Sequence, residues 1–375
     1  MCSPLFGYQY RIHRQRKAVP TNLQYIIMKN NRLFLFIAVL GVACLFSACQ
    51  LHTKSEQSYI SKNGIYYWRT TFCPTMEERV FVREHNIGRI YLHMYDVDVV
   101  GYATGYATDY IEPVATIQFQ DSLISGVEYV PTVYITQNAI RSLTGREREI
   151  AEKIVTRTLN MVDWHEIPNV QEIQIDGDWQ VSTQKSYFLF CREMRELLHK
   201  QELRLSATIR LSQLREAAPP VDRGVLMLYN TGSVRSINTT NSILDIETCR
   251  TYLRQQAIEK YALPLDYALP VFGWSVIHTD NGKSYGGLSY TTVYSAPQFE
   301  RIDSTHYRAC FSGNYDNRYF NSDDMVRIEK VSINQLHELK RLLPRENNQA
   351  IILYHLDNNQ TNCYSHEEID AIFAH

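Results

Sequence analysis

The sequence predicts an α/β protein whose main domain is a parallel (β/α)8 barrel (TIM barrel) with a β-rich aromatic insertion after strand 7. Three observations predict this fold: strand-like runs alternate with amphipathic helical stretches, the strand-like runs number eight, and one aromatic stretch interrupts the alternation. An open, doubly wound sheet is the alternative, because it shows the same alternation. With 375 residues, 45% of them hydrophobic, the chain is long enough to bury such a core.

The first 48 residues differ in composition from the rest and predict a secretory signal. Their six formal charges are all positive, and they precede an apolar run over residues 33–46. This run is short for a bilayer span, and the small residues Ser47 and Ala48 before Cys49 fit a cleavage site. We expect residues 28–48 to form the signal proper, starting at Met28, and residues 49–63 to form a linker to a barrel over residues 64–375.

The segment before the predicted cleavage point, Leu45-Phe46-Ser47-Ala48-Cys49, resembles the bacterial lipobox, although Phe46 stands where that motif usually has Leu. The resemblance implies lipidation of Cys49, a membrane anchor and a place in the bacterial cell envelope, at the outer membrane. Removal of residues 1–48 takes the formal charge from −2 to −8, because six positive charges and no acids leave. A chain this acidic is a poor nucleic-acid ligand, so we expect no nucleic-acid partner.

Five cysteines remain after lipidation, and they are widely dispersed: Cys73, Cys191, Cys249, Cys310 and Cys363. No C-x-x-C or Cys/His spacing occurs, so we expect no metal site and no cofactor. Most of the five are expected to be buried free thiols, and one disulfide is the alternative for an oxidising envelope.

The strands and helices follow one another in order along the chain. The predicted strands are residues 64–72, 88–96, 128–136, 170–178, 203–211, 224–230, 268–277 and 350–356. The predicted helices are residues 144–165, 185–200, 248–261, 332–343 and 365–373. Thr144 to Glu147 and Ser365 to Glu368 match the capping-box pattern of a helix start. The units after strands two and five lack a long predicted helix.

Residues 278–331 interrupt the alternation and predict a small β insertion. Gly286-Gly287 and Gly313-Asn314 mark turns within it. Its aromatic residues are Tyr285, Tyr290, Tyr294, Phe299, Tyr307, Phe311, Tyr315, Tyr319 and Phe320. Loops that follow barrel strands project from the functional face, where such rings stack well on sugars. The alternative, which accounts for most of the rings, is a small core for the insertion itself.

The fourth predicted strand ends in two acids, Asp176 and Asp178. Because side chains alternate along a strand, both acids point to the same side, at the end where a barrel presents functional groups. The alternative is that the strand simply ends at the loop-favouring Asp-Gly, and that its acids are solvated or cap the next helix without a functional role.

The other predicted strand ends are polar too. They carry Arg69, His93, Tyr95, Asp96, Asp98, Tyr134, Gln137, Thr208, Arg210, Tyr229, Asn230, Trp274, His355 and Asp357. Unpaired ionisable groups are costly to bury, so this pattern favours a solvated, functional barrel mouth. Alternatively, Arg69 and Arg210 simply neutralise carboxylates. His93 and His355 are more typical of hydrogen-bonded wall residues than of metal ligands.

Carboxylates and aromatic rings at a barrel mouth suit glycosidic bond chemistry. Residues 173–180, Ile-Gln-Ile-Asp-Gly-Asp-Trp-Gln, resemble the strand-four signature of chitinase-like glycosidases, Asp-x-x-Asp-x-Asp-x-Glu, with Asp176 and Asp178 at its second and third acids. Residues 227–230, Met-Leu-Tyr-Asn, resemble that family's Met-x-Tyr-Asp, whose Tyr and Asp hold the substrate acetamido group. The chain also resembles an uncharacterised group of bacterial envelope lipoproteins.

Three departures from the family signature bear on activity. Gln180 stands at the position of the proton-donating Glu, Ile173 replaces the first Asp, and Asn230 replaces the strand-six Asp. A Gln side chain does not usefully donate a proton to a leaving alcohol. The resemblance therefore implies the fold and a sugar-shaped site, without ordinary chitinase activity.

The leading hypothesis is a lipid-anchored barrel of the glycoside-hydrolase type that acts on or binds a carbohydrate. If it is catalytic, Asp178 is the expected acid/base and Asp176 its electrostatic neighbour, facing a further acid such as Asp96, Asp98 or Asp357. The expected substrate-binding residues are Tyr229, Asn230, Trp179, Gln180, Arg210, Arg69, Tyr95, Trp274, His355 and Asp357. The alternatives are a non-catalytic carbohydrate-binding barrel and a lipoprotein whose aromatic insertion binds another protein.

Overall fold

The computed structural model describes residues 61–101, 110–344 and 349–374; the predicted signal and Cys49 lie outside them. Its strands, numbered in chain order, are β1 (Gly64–Tyr67), β2 (Thr71–Phe72), β3 (Arg89–Val100), β4 (Tyr110–Val114), β5 (Gln118–Phe119), β6 (Glu128–Ile135), β7 (Glu172–Gly177), β8 (Arg204–Arg210), β9 (Arg223–Met227), β10 (Leu265–Pro270), β11 (Gly273–Thr279), β12 (Ser284–Ser289), β13 (Phe299–Arg301), β14 (His306–Ala309), β15 (Gly313–Tyr315), β16 (Arg318–Phe320), β17 (Met325–Lys330) and β18 (Ile351–Tyr354).

Eight of these strands form a closed parallel barrel. Their order around the ring is β1, β3, β6, β7, β8, β9, β10 and β18, and β1 pairs with both β3 and β18, which closes it. Each of the eight overlaps one predicted strand, so the predicted (β/α)8 barrel is confirmed and the open sheet is excluded.

The helices surround this barrel. They are α1 (Met76–Glu84), α2 (Gln137–Arg141), α3 (Glu147–Trp164), α4 (Gln184–His199), α5 (Ile246–Tyr252), α6 (Ile333–Lys340), α7 (Asn358–Thr361) and α8 (His366–Phe373). The capping box at Ser365 is confirmed, but the one at Thr144 is wrong: Arg146 precedes α3, and Thr144 Oγ1 instead bonds Ser186 Oγ at 2.8 Å. Helix α1 was not predicted, although Thr75 and Glu78 form a complete capping box at its start.

The two units that were predicted to lack a long helix, after the second and fifth barrel strands, show none in the described part of the chain. After β3, the described part of the chain continues into the antiparallel strand β4, and after β8 it forms a short 3₁₀ turn, Leu211–Arg215. The predicted helix over residues 248–261 is shorter, because α5 ends at Tyr252 and a 3₁₀ turn, Arg254–Gln256, follows.

The insertion after β10 has its own sheet and core. Strands β12, β11, β17, β14 and β13 form an antiparallel sheet beside the hairpin β15–β16. Its buried side chains include Tyr294, Phe299, Phe320 and Val326. The alternative of a small core is therefore confirmed for most of the rings. The sheet begins at Gly273, directly after the carboxyl end of β10, so it starts inside the predicted seventh strand.

Two further findings concern the cysteines and the membrane. All five cysteines of the described chain are free thiols, but Cys73, Cys310 and Cys363 are exposed, so the expectation that most are buried is wrong. Among the described residues, none of the helices combines the length and apolar character that crossing a bilayer requires.

Candidate functional site

The two acids of β7 face the neighbouring strand β8. The parallel register pairs Gln174 with Ser206, so Asp176 lies beside Thr208 and Asp178 beside Arg210. Asp176 is buried, and its Oδ1 accepts a hydrogen bond from Thr208 Oγ1 at 2.6 Å. Burial raises the pKa of Asp176, although the Arg210 guanidinium acts against this. Asp176 therefore holds a proton more readily than an ordinary aspartate.

Asp178 is held in a two-point ion pair. Arg210 Nε donates to Asp178 Oδ1, and Arg210 Nη2 donates to Oδ2 at 3.0 Å. The two side chains are 25% and 31% exposed, so the pair borders solvent. Such a fork-to-carboxylate contact fixes the relative orientation of the two groups. The alternative in which Arg210 neutralises a mouth carboxylate is the one that the geometry shows.

An aromatic wall adjoins the acids. Tyr229, after β9, stacks on Tyr354 of β18 with ring centroids 4.8 Å apart, and Phe272 meets its edge. The Tyr229 hydroxyl is buried, and no hydrogen-bond partner for it lies among the described residues. Burial raises its pKa, so it remains a neutral phenol able to donate.

These groups border a pocket of about 460 Å³, within the range of small-molecule sites. Its lining residues come from the chain after β7, β8 and β9 and from two helices: Gln137, Asp178, Trp179, Gln180, Arg210, Leu211, Ser212, Gln213, Met227, Tyr229, Asn230, Thr231, Thr248 and Tyr252. Six predicted site residues thus share one pocket, whereas Asp176 is not among its lining residues.

Trp179 forms one wall of this pocket. It is 4% exposed and packs on Tyr187 and Phe188, while its Nε1 has no hydrogen-bond partner within the described chain. Gln213 Nε2 donates to the Trp179 carbonyl at 3.0 Å and Gln213 Oε1 accepts from the Arg210 amide at 2.8 Å, which joins the β7 and β8 loops. Sequence reasoning missed Gln213, because a glutamine in a short 3₁₀ turn gives no signal.

Tyr95 does not lie in the mouth. The pairing of β3 with β6 shifts register between His93 and Tyr95, which indicates a β-bulge at Met94. Asp96 therefore shares the inward face with His93, and its Oδ1 contacts His93 Nε2 at 2.7 Å. The Tyr95 hydroxyl points outward to α3, where Thr158 Oγ1 is 2.9 Å away. The expectation of a substrate contact assumed a regular strand and is wrong for this side chain.

Four other predicted residues lie outside the pocket. Arg69 forms a two-point ion pair with Glu78 of α1 and donates to the Leu356 carbonyl at 3.0 Å. Asp357 caps α7, and Trp274 Nε1 donates to Glu329 Oε2 at 2.8 Å in the insertion. His355 is partly buried, and burial lowers its pKa to about 4, so it is neutral at pH 7.

The acids expected to face Asp178 are engaged as well. Asp96 bonds His93, Asp98 accepts from Thr136 Oγ1, and Asp357 accepts from the Asn359 amide at 3.0 Å. None of the three lines the pocket that contains Asp178. The second carboxylate that a glycosidase pair requires is therefore absent from this pocket, as far as the structure describes the chain.

Comparison with known proteins bears on the fold. No family model matches the sequence, and no curated protein matches it. Among solved structures, the chitinase from Chromobacterium violaceum is 11% identical at a TM-score of 0.50, over 83% of this chain and 97% of that chain. The barrel of this chain is therefore chitinase-like in its fold. At 11% identity the likeness shows the fold alone.

Two further solved structures resemble the chitinase-like barrel at lower scores. The spore cortex-lytic enzyme SleL of Bacillus cereus is 12% identical at a TM-score of 0.49, over 84% of this chain and 74% of that chain. A Group IV chitinase of Ostrinia furnacalis is 10% identical at a TM-score of 0.45, over 84% of this chain and 98% of that chain.

Proposed function

We propose that this protein binds a carbohydrate in the pocket after β7, β8 and β9, without hydrolysing it by the chitinase mechanism. The observation that carries the proposal is the pocket wall, where the Tyr229 hydroxyl and Trp179 Nε1 are buried donors without partners among the described residues. Buried polar groups are nearly always hydrogen-bonded, so orphan donors beside a pocket suit a ligand rich in oxygen acceptors.

The remaining lining residues favour a sugar over an apolar ligand. The lining combines the aromatic residues Trp179, Tyr229 and Tyr252 with amide and hydroxyl side chains, among them Gln180 and Asn230. Aromatic faces pack on the C–H groups of a sugar ring, while the polar groups bond its hydroxyls. The chitinase-like fold supports the same ligand class, with N-acetylglucosamine oligomers as the first probe.

The state of the acids argues against ordinary hydrolysis. Both carboxylate oxygens of Asp178 accept hydrogen bonds from Arg210, so this side chain is not free to deliver a proton to a leaving oxygen. Gln180, where the family signature has the proton donor, is a neutral amide. A second candidate function, hydrolysis with Asp176 as the acid, is favoured by the raised pKa of that buried carboxyl group.

The proposal includes a location. The basic, apolar and small-residue order before Cys49 supports an acylated, envelope-anchored protein that holds its ligand at the bacterial surface. Mass spectrometry of the mature N-terminus is the test. Release of a Cys49→Ala variant into the soluble fraction is the expected result, and full membrane retention of that variant would contradict the anchor.

Calorimetric titration tests the binding proposal. Chitotetraose and cellotetraose are titrated into the wild type, Tyr229→Phe and the control Tyr319→Phe, which alters an exposed ring of the insertion. Loss of one hydrogen bond predicts roughly fivefold to tenfold weaker binding for Tyr229→Phe, with unchanged unfolding free energy, because that hydroxyl bonds nothing in the described protein. Absence of binding to a wider glycan panel would overturn the proposal.

Product analysis of the same mixtures separates the two candidate functions. Binding without products in the wild type is expected. Products that disappear in Asp176→Asn, while chitotetraose still binds, would instead establish the second candidate.

A further inference from the structure

Outside the pocket, three potential metal ligands meet where the helix after β1 contacts the last helix. His85 follows α1, and His366 and Asp370 belong to α8. One donor atom from each lies within 4.8 Å of the other two, and this group was found within the described residues. His85 Nδ1 is 2.7 Å from Asp370 Oδ1, and His366 Nε2 is 3.2 Å from Asp370 Oδ2.

The local structure explains why these side chains converge. His366 and Asp370 are four residues apart in α8, so they project from the same helix face. The His85 side chain is only 4% exposed, and its ring packs on Phe81, with centroids 4.5 Å apart. The His366 ring lies over the His85 ring at 4.3 Å. A fixed, buried imidazole thus stands under two side chains that are about half exposed, at 49% and 52%.

We propose that His85, His366 and Asp370 bind a Zn²⁺ ion. Two imidazole nitrogens and one carboxylate oxygen form a donor set that suits this ion. Tetrahedral zinc with bonds of about 2.0–2.1 Å needs donor atoms roughly 3.3–3.4 Å apart. The three donor atoms here lie within 4.8 Å of one another, so they must move closer together to bind the ion. Small rotations of the exposed His366 and Asp370 side chains achieve this, and water takes the fourth position.

The sequence gives no sign of this site. His85 and Asp370 are separated by 285 positions, so no ligand spacing of the kind used to recognise zinc motifs occurs. Only closure of the barrel, by pairing β1 with β18, brings the first and last units together. The ion would therefore clip the two ends of the described barrel to each other.

Metal binding and stability are coupled through this geometry. In the unfolded chain His85 is far from the α8 ligands, so the complete site exists only in the native state. An ion that binds the native state alone stabilises it by mass action. The existing His–Asp hydrogen bonds also hold this contact without metal, and the ion would replace them.

The experiment uses untagged, full-length protein in mild detergent after EDTA treatment and dialysis. ZnCl₂ is titrated by calorimetry, and thermal unfolding is recorded with and without it. The expected result is one saturable site and a melting temperature about 5 °C higher at 100 times the dissociation constant. His366→Ala should lose both effects while melting near the wild-type temperature without metal. Asp370→Asn should weaken binding.

A matched control distinguishes this site from general histidine binding. His306 pairs with Asp303 at 2.9 Å on the insertion, and no third ligand joins them in the described chain. His306→Ala should bind Zn²⁺ as the wild type does. Equal affinity in His366→Ala, no saturable binding in the wild type, or binding without a change in melting temperature would each overturn the proposal.

Discussion

The two ends of the barrel are both rich in charge, but they differ in what the charges contact. At the amino-terminal ends of the strands, called the floor here, Arg89 pairs with Glu128 at 2.9 Å and Arg223 pairs with Asp266 at 2.6 Å, all four buried. At the carboxyl-terminal ends, the mouth, the Arg210–Asp178 pair borders a pocket. The floor charges are buried in ion pairs, whereas the mouth pair lines a pocket that a ligand can enter.

This difference bears on how polar strand ends should be interpreted. Polar residues at the predicted strand ends indicated a functional mouth, because unpaired charges are costly to bury. The floor meets the same cost by pairing its charges inside the barrel. Polarity alone therefore does not separate the two ends. The two ends differ in whether the charged groups themselves line a pocket, as Arg210 and Asp178 do at the mouth.

The largest effect on stability is expected when the buried ion pair between Arg223 and Asp266 at the floor is removed. Asp266 is fully buried, accepts from Arg223 at two atoms, and accepts from the Ala350 amide at 2.7 Å. Asp266→Ala leaves a buried guanidinium without this partner, so we expect a loss of about 3–5 kcal/mol in unfolding free energy. Urea denaturation measures it. A loss below about 1 kcal/mol would show that the floor pair is not structural.

The next effect depends on pH and concerns His355. Burial lowers its pKa from 6.5 to about 4, so the unfolded state takes up its proton first as the pH falls. Stability from this group is present above about pH 6.5 and is lost as the pH falls toward 4, by up to about 3 kcal/mol. Urea denaturation of the wild type and of His355→Gln at pH 7 and pH 4.5 isolates this contribution. Parallel pH profiles would contradict the prediction.

A smaller stability effect is expected at the mouth pair. Asp178→Asn removes a charge from a contact that is partly solvated, so its cost should stay below about 1 kcal/mol. The same change should weaken carbohydrate binding, because Asp178 fixes the Arg210 guanidinium in the pocket wall. Paired measurements of unfolding and binding test this. A loss comparable to that of Asp266→Ala would make the mouth pair structural and erase the contrast between the two ends.

The smallest stability effect is expected in the insertion. Tyr290 is 71% exposed. The pKa of Tyr354 is raised first by burial and next by the nearby Tyr290, so Tyr290 lies close to Tyr354 at the mouth. Tyr290→Ala should change stability by less than about 0.5 kcal/mol and weaken binding of long oligosaccharides several-fold. Tyr319→Ala, which removes another exposed ring, is the control. Equal effects in both variants would remove the insertion from the binding site.

The sequence predicts what depends on local pattern. Strand periodicity located the eight barrel strands, and the stretch around Asp176 and Asp178 located the pocket edge. It does not predict what depends on register or long-range pairing. The outward turn of Tyr95 follows from a bulge, and the pairing of Arg69 with Glu78 follows from a helix whose capping signal was overlooked. The shared floor charges were missed because their partners lie on different strands.

The bulge at Met94 also bears on how this chain tolerates changes in length. The loop after β10 accommodates a whole additional sheet, whereas one residue in β3 decides which side chain faces inward. Deletion of Met94 itself would only remove the bulge, because His93 and Tyr95 already pair with consecutive residues of β6. Deletion of any other residue of β3 would shift part of the strand by one position and reverse which of its side chains face inward. Among descendants of this gene, we therefore expect insertions and deletions to accumulate after β10 and to be purged from β3.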